Sequence, residues 1–296
     1  MTYSICKDEL RLSCDTQRMA CAPALPVGYH PVMKLTPLSD GFGVEAIGVD
    51  LDRLSTDEFD ALWQAWLDKH LLVVRGQRLS AAQFHGWARR FGEPQPHVID
   101  QFHHPEQADI LVLSNVKRQG QPIGLQDAGT YFHTDYSYLA RPARATTLYS
   151  IAVPERGGKR YGHTRFANQQ AAYDALGPDM KQRIDPLIGL HHYGNRDDLN
   201  VASRTVASVL NDDQAAKMKW VRHRIARPHP VTGRKALYSV SGSSFGIEGM
   251  AEAEAISLLD ELKLHSTQDR FQYAVEYGVG DVVVLSLIHI SNSLCS

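Results

Sequence analysis

The chain has 296 residues, which is enough to bury a substantial hydrophobic core in one large domain or two smaller ones. With 43% hydrophobic and 22% charged residues, its composition is that of an ordinary globular protein and excludes a disordered one. The formal net charge of −2 gives no electrostatic footprint for nucleic acid, so we expect no nucleic-acid partner.

The sequence contains no export or membrane signal. The first thirty residues carry several charges and lack the apolar segment of a secretory signal, so we expect a cytoplasmic protein. The longest apolar stretch, residues 282–290, is interrupted by Ser286 and His289 and is too short to cross a bilayer. We therefore expect no membrane partner, and the sequence leaves open whether the chain forms a homo-oligomer.

The cysteine spacing does not match a structural zinc site, which prefers pairs separated by roughly two to four residues. We expect free thiols at Cys6, Cys14, Cys21 and Cys295. Residues 1–30 are expected to be a disordered N-terminal extension, followed by a domain over residues 31–284.

Two capping boxes predict the first two helices. Ser55 with Glu58, and Ser80 with Gln83, have the spacing in which each side chain satisfies the backbone of the other. Apolar residues follow both boxes at helical spacing, and we expect these faces to pack in the core.

The rest of the pattern predicts an α+β protein with one domain. Helices are scattered among short strands without regular β-α-β alternation, which argues against a doubly wound parallel sheet. No internal repeat, low-complexity tract or linker divides the chain. The predicted elements are strands at residues 71–74, 144–153, 271–277 and 282–285, a helix from Ala167 to Leu176 ended by Gly177-Pro178, and a helix from Glu252 to Leu264.

The tripeptide His133-Thr134-Asp135 has the clearest chemical meaning. On an extended segment, a His and a carboxylate two residues apart can aim two ligands at one point, as in the 2-His-1-carboxylate triad of ferrous iron. With 14 His and 33 acidic residues, chance predicts about 1.6 His-x-Asp/Glu matches, and the sequence has two, the other being His104-Pro105-Glu106. Taken alone, the tripeptide is more typical of a surface turn.

Ordered blocks on both sides of this motif resemble the TauD/TfdA family of iron(II)- and 2-oxoglutarate-dependent dioxygenases. The resemblance runs from about Leu35 to Val284. Its blocks are Leu35 to Leu38, Gly43 to Leu51, Leu71 to Gln77, Phe91 to Glu93, Gly157-Gly158, Thr164 to Asn168, Ala171 to Leu176, His229 to Tyr238 and Gly280-Asp281. So many blocks in family order argue against coincidence.

The resemblance implies a fold, a reaction and a set of site residues. The implied fold is a double-stranded β-helix (jelly-roll) core wrapped by helices. The implied reaction couples decarboxylation of the co-substrate 2-oxoglutarate to succinate with hydroxylation of a small organic acid or sulfonate by dioxygen. By resemblance, His133 and Asp135 bind Fe(II) at the catalytic centre and Thr164 contacts a 2-oxoglutarate carboxylate. His97 contacts the substrate or is a solvent-facing loop histidine, and residues 159–162 look like an insertion before Thr164.

The end of the sequence departs from the family. Counting from Asp281, the second metal-binding His of the family falls on Asn292, and His289 comes three residues early. The family also places an Arg near its end to pair with 2-oxoglutarate, whereas no Lys or Arg follows Arg270 here. We expect residues 285–296 to be a truncated, frameshifted or chimeric tail, short and mobile. The chain would then be inactive or nearly so unless His289 folds back to complete the triad. The rival expectation is a catalytically dead jelly-roll protein that binds a small ligand.

Overall fold

The computed structural model describes residues 2–5, 32–126, 129, 131–194 and 210–294, and the structural statements below refer to these residues. The four cysteines and residues 6–30 of the expected extension lie outside this part of the chain. Thr2–Ile5 form a strand, so the expected disorder does not hold for this segment.

The strands, in chain order, are β1 (Thr2–Ile5), β2 (Lys34–Ser39), β3 (Phe42–Ile47), β4 (Leu71–Val74), β5 (His103–His104), β6 (Gln107–Ser114), β7 (Lys117–Arg118), β8 (Gln121–Pro122), β9 (Ala145–Ala152), β10 (Glu155–Arg156), β11 (Lys159–Arg160), β12 (Thr164–Asn168), β13 (Ile188–His191), β14 (Val221–Arg224), β15 (Ala226–Pro228), β16 (Lys235–Leu237), β17 (Ser244–Ile247), β18 (Gln272–Val275), β19 (Val282–Ser286) and β20 (Ile290–Leu294). The α-helices are α1 (Thr56–Lys69), α2 (Ala81–Arg89), α3 (Gln169–Asp174), α4 (Pro178–Ile184), α5 (Asp212–Lys217) and α6 (Glu252–Ser266). Within the described residues, no helix has the length and apolarity needed to cross a membrane.

An eight-stranded mixed sheet with the order β2-β3-β4-β19-β9-β1-β6-β5 is the largest element of the fold. Its central strands β4 and β19 are buried on both faces, which explains their unbroken apolar sequences. Leu72 and Val284 face the core under α1 and α2, whereas Leu71 and Val283 face a second core on the other side.

The second core is closed by a three-stranded antiparallel sheet with the order β18-β12-β20. This sheet contributes Phe166, Val275 and Ile290 to the same cluster as Val283 of the large sheet. The His133 motif lies beside this core, because the backbone of His133 bridges to Asn292 of β20. A third core lies under α6 and the β14-β13-β17 sheet.

Most predicted elements are confirmed. Both capping boxes form: the Ser55 hydroxyl accepts the Glu58 N–H at 3.2 Å, and the Ser80 hydroxyl accepts the Gln83 N–H at 3.2 Å. The strands at β4, β9, β18 and β19 and the helix α6 lie where the sequence pattern predicts them.

The predicted helix from Ala167 to Leu176 is wrong at its start. Ala167 and Asn168 belong to β12, because both residues pair with β20 and the pairing prevents the helix from starting earlier. Asn168 then caps α3 by accepting the Ala171 N–H at 2.9 Å. Pro178, expected only to end a helix, is also the first residue of α4, where its missing N–H costs nothing.

The expectation of a mobile tail is also wrong. Strand β20 pairs with β12 along its whole length, from Ile290 opposite Asn168 to Leu294 opposite Thr164. Ile290 is 1% exposed and packs in the second core. Sequence that does not resemble the family therefore supplies a buried edge strand next to the site.

Candidate active site

His133 and Asp135 face one another at the wall of a pocket, as the tripeptide predicts. The His133 Nε2 lies 3.1 Å from the Asp135 Oδ1. Two neighbouring ligands at about 2.1 Å from one ion and at right angles would be about 3.0 Å apart, so this separation suits joint metal binding. The alternative pair does not form such a site, because His104 accepts the Glu106 N–H in a surface turn.

Backbone contacts orient the His133 ring. Its Nδ1 lies 2.8 Å from the Tyr131 carbonyl oxygen, so Nδ1 carries a hydrogen and Nε2 is the nitrogen that faces Asp135. Gly129 (φ +78°) lies against the ring, and a Cβ there would come within 2.8 Å of Cε1. Only glycine fits both the backbone angle and the approach of the imidazole.

The charges of His133 and Asp135 stabilise one another. Burial disfavours the imidazolium, but the hydrogen bond and negative charge of Asp135 outweigh burial and raise the pKa of His133. Burial also opposes ionisation of Asp135, but the hydrogen bond and charge of His133 outweigh it and lower the carboxyl pKa. A divalent cation would compete with the proton on Nε2 for the same carboxylate.

Thr146 of β9 holds the second carboxylate oxygen. Its hydroxyl donates to the Asp135 Oδ2 at 2.8 Å and is itself buried. Support of this kind fixes the orientation of a ligating carboxylate. Sequence reasoning missed Thr146, since only the packing of β9 against the motif reveals its role.

Thr164 lies in the same pocket of about 130 Å³ as His133 and Asp135. Its hydroxyl accepts a 2.9 Å hydrogen bond from Tyr277, which leaves its own hydrogen available for an acceptor in the pocket. The apparent insertion does not displace Thr164, because Lys159–Arg160 form β11 of a small hairpin with β10. Tyr277 was also missed, because it is separated from Thr164 by more than a hundred residues.

His97 also lines the pocket, and its ring contacts Tyr136 with centroids 5.9 Å apart. Its Nδ1 accepts the Ile99 N–H at 3.1 Å, so a neutral ring carries its hydrogen on Nε2. Burial lowers the pKa of His97 to about 4, although the Asp135 charge acts in the opposite direction. At neutral pH His97 is therefore an uncharged hydrogen-bond donor.

Comparison with known proteins decides the family. The model of the TauD/TfdA family, described as taurine catabolism dioxygenase, matches residues 34–286. The chain belongs to the TauD/TfdA family.

Several relatives are named as α-ketoglutarate (2-oxoglutarate)-dependent dioxygenases, which are oxidoreductases. The chain is 30% identical over 260 residues to the 2,4-dichlorophenoxyacetate dioxygenase of Cupriavidus pinatubonensis, with 84% of this chain and 87% of the relative covered. It is 30% identical over 244 residues to pentalenolactone F synthase of Streptomyces arenae, with 79% of each covered. The solved structure of AAD-2 in complex with Mn(II) and N-oxalylglycine superposes with a TM-score of 0.71 at 25% identity, with 89% of this chain and 91% of that one covered.

The described residues do not complete the triad that the family resemblance implies. In the described residues, no three His, Cys, Asp or Glu side chains come together as a metal site. His289 does not reach the pocket: its ring stacks between His70 and His229, with centroids 3.9 and 4.5 Å away. Asn292, where we expected the second His of the family by counting from Asp281, does line the pocket.

Proposed function

We propose that His133 and Asp135 hold a ferrous ion and that the chain uses 2-oxoglutarate and dioxygen to hydroxylate a small organic substrate. The observation that carries this proposal is the 3.1 Å approach of His133 Nε2 to Asp135 Oδ1 beside Thr164. Iron on such ligands supplies oxygen activation coupled to decarboxylation of 2-oxoglutarate to succinate and CO2. We further propose that the two sheets around the second core form the double-stranded β-helix of the family.

Thr164 is proposed to hold 2-oxoglutarate. Its hydroxyl, oriented by Tyr277, can donate to a carboxylate oxygen of the co-substrate. The charge of that carboxylate is poorly compensated, because no Lys or Arg lines the pocket in the described part of the chain. Leaving a buried carboxylate without its cation costs about 3–5 kcal/mol. We therefore propose that this chain binds 2-oxoglutarate weakly.

The substrate is proposed to be a small organic acid with an apolar body. Four leucines and four tyrosines line the pocket: Leu111, Leu113, Leu125, Leu148, Tyr131, Tyr136, Tyr138 and Tyr193. The Nε2–H of His97 can donate to an acid group at one end of such a body. Relatives named for 2,4-dichlorophenoxyacetate and for (S)-phenoxypropionate, both aromatic acids, support this choice over a short sulfonate.

The alternative is a catalytically dead protein that binds a small ligand in the same pocket. Asn292 at the expected position of the family's second His favours this alternative, and so does the lack of Lys and Arg among the described lining residues. Our proposal of a functional but impaired enzyme rests on the intact His133, Asp135 and Thr164 arrangement. A different origin of the tail remains part of this proposal, and what supports it is that residues from 287 onwards lie beyond the family match.

Anaerobic spectroscopy would separate these alternatives. On addition of Fe(II) and 2-oxoglutarate without oxygen, we expect a weak visible absorption band that His133→Ala abolishes and His104→Ala leaves unchanged. No band at any accessible concentration would favour the dead protein. A band lost in His104→Ala instead would mean that the wrong His-x-acid pair had been chosen.

A turnover assay would identify the substrate class. With air admitted, succinate release would be measured for a panel of aromatic, terpenoid and sulfonic acids. We expect slow release without substrate and faster release with an apolar acid. Acceleration by taurine-like sulfonates alone would contradict the proposed substrate class.

A further inference from the structure

Asn292 stands directly opposite His133 across a pair of backbone hydrogen bonds. The His133 N–H donates to the Asn292 carbonyl at 3.0 Å, and the Asn292 N–H donates to the His133 carbonyl at 2.9 Å. Residues that exchange both bonds in an antiparallel pair project their side chains to the same face of the sheet. The Asn292 amide is therefore directed to the side of the ribbon where the His133 imidazole lies.

The amide oxygen of Asn292 is buried without a hydrogen-bond partner. The residue is 8% exposed, lines the pocket of His133, Asp135 and Thr164, and its Oδ1 accepts no hydrogen bond within the described residues. A buried acceptor left unsatisfied costs about 1–3 kcal/mol. A cation in the pocket would remove this cost.

Neighbouring contacts fix the strand that carries Asn292. The Ser291 hydroxyl donates to the His133 carbonyl at 3.1 Å, and the Thr134 hydroxyl donates to the Ile290 carbonyl at 3.3 Å. The two residues that precede Asn292 thus hold β20 against the motif. The backbone that carries the Asn292 amide is in place before any ion arrives, as a preformed site requires.

We propose that the Asn292 Oδ1 is the third protein donor of the metal site, so that the chain presents one imidazole, one carboxylate and one amide oxygen. This inference rests on the metal site proposed at His133 and Asp135. Replacing an imidazole by a neutral oxygen shifts the site towards the donors preferred by Mn²⁺ and Mg²⁺. We therefore expect weaker binding of Co²⁺ than a two-imidazole site gives, with a smaller preference for Co²⁺ over Mn²⁺.

His289 is not an alternative third donor. Its Nδ1 lies 3.0 Å from the Ser286 hydroxyl, and the rings of His70 and His229 cover it. It does not line the pocket.

Metal titration without 2-oxoglutarate or oxygen tests this inference independently of turnover. Mn²⁺ binding would be followed by the loss of the free-ion electron paramagnetic resonance signal, and Co²⁺ binding by its visible spectrum. Asn292→Ala is expected to weaken Mn²⁺ binding at least tenfold, because even loss of a group that merely supports a ligand costs about 10- to 100-fold. The matched control is Asn115→Ala, since the Asn115 Oδ1 is also buried and unpartnered but lies outside the pocket. Its binding should equal that of the unmodified chain.

A gain-of-binding variant covers the case in which Asn292→Ala does not fold. Asn292→His should raise Co²⁺ affinity by at least tenfold and increase the ratio of Co²⁺ to Mn²⁺ affinity. Failure of Asn292→His to raise Co²⁺ affinity, or unchanged Mn²⁺ binding in folded Asn292→Ala, would overturn the assignment of Asn292. If His133→Ala also binds Mn²⁺ normally, the proposed function itself fails, so the two failures are distinguishable.

Discussion

At the scale of residues, the candidate site depends on side chains that hydrogen-bond to the proposed functional residues. Asp135 is directed towards His133 because Thr146 holds its other oxygen at 2.8 Å. Thr164 is oriented by Tyr277 in the same manner. Neither supporting residue touches the position where an ion would bind, yet both decide how the functional groups point.

Thr146→Val is expected to weaken Mn²⁺ or Fe²⁺ binding by about 10- to 100-fold, because Asp135 loses its second hydrogen bond. Thr147→Val is the matched control: the next hydroxyl in β9 is also buried but has no hydrogen-bond partner in the described structure. Metal titration of both variants checks the prediction. Equal affinities in the two would show that the Thr146 hydroxyl does not orient Asp135.

Tyr277→Phe is expected to raise KM for 2-oxoglutarate about fivefold, the effect of losing a hydrogen bond worth about 1 kcal/mol, with little change in kcat. Tyr277 is a positioning residue, so metal affinity without 2-oxoglutarate should stay unchanged. Tyr273→Phe in β18 serves as control. A fall in kcat at unchanged KM would contradict this role.

At the scale of elements, strand β20 is part of the fold although its sequence lies outside the family match. The family match ends at residue 286, yet β20 occupies the edge of β12 and supplies buried Ile290. A strand that places one apolar side chain of suitable size in the core can help to complete that core without the native side chains at functional positions.

Ile290→Ala should destabilise the protein by about 2–5 kcal/mol, the usual cost of truncating a buried aliphatic side chain. Leu264→Ala on α6, at a side chain that is 71% exposed, should change stability by less than about 0.5 kcal/mol. Urea unfolding measures both. A loosely attached tail would instead make the two variants equally stable.

At the scale of the whole molecule, polar contacts join chain segments that resemble the family and lie far apart in the sequence. Arg75, at the end of β4, pairs with Asp281 at 2.6 Å and with Glu45 at 2.7 Å. Gly280 (φ +89°) makes the approach possible, because a Cβ there would lie 2.5 Å from the Gln77 carbonyl oxygen. These contacts give Glu45, Arg75, Gly280 and Asp281 a structural role in the fold.

The buried stack of His70, His289 and His229 predicts acid sensitivity. Burial, aided by neighbouring positive charges, lowers the pKa of His70 and of His229 to about 4 and that of His289 to about 2. The unfolded chain takes up protons below about pH 6.5, while the folded stack stays neutral to about pH 4. The contribution of the stack to the free energy of unfolding is therefore fully present above pH 6.5. It falls as the pH is lowered from 6.5 to 4, by at most about 1.4 kcal/mol per pH unit for each histidine.

Urea unfolding at pH 7.5 and 5.5 would measure this loss. We expect His229→Phe to lose less stability between the two pH values than the unmodified chain. His104→Asn, a change in a surface turn, should lose as much as the unmodified chain. An identical loss in His229→Phe would show that the stack does not carry the pH dependence.

The sequence by itself determined the helix starts at Ser55 and Ser80, because capping and apolar periodicity are local properties. Its ordered blocks determined the family, and through that resemblance it predicted the ligand pair His133 and Asp135. It also indicated that the position of the second family His falls on Asn292. Only the tertiary structure decided that Asn292 faces His133, that His289 is locked in an imidazole stack, and that Thr146 and Tyr277 support the site. Most of those contacts join segments far apart in the chain, and no local pattern encodes which strands will pair.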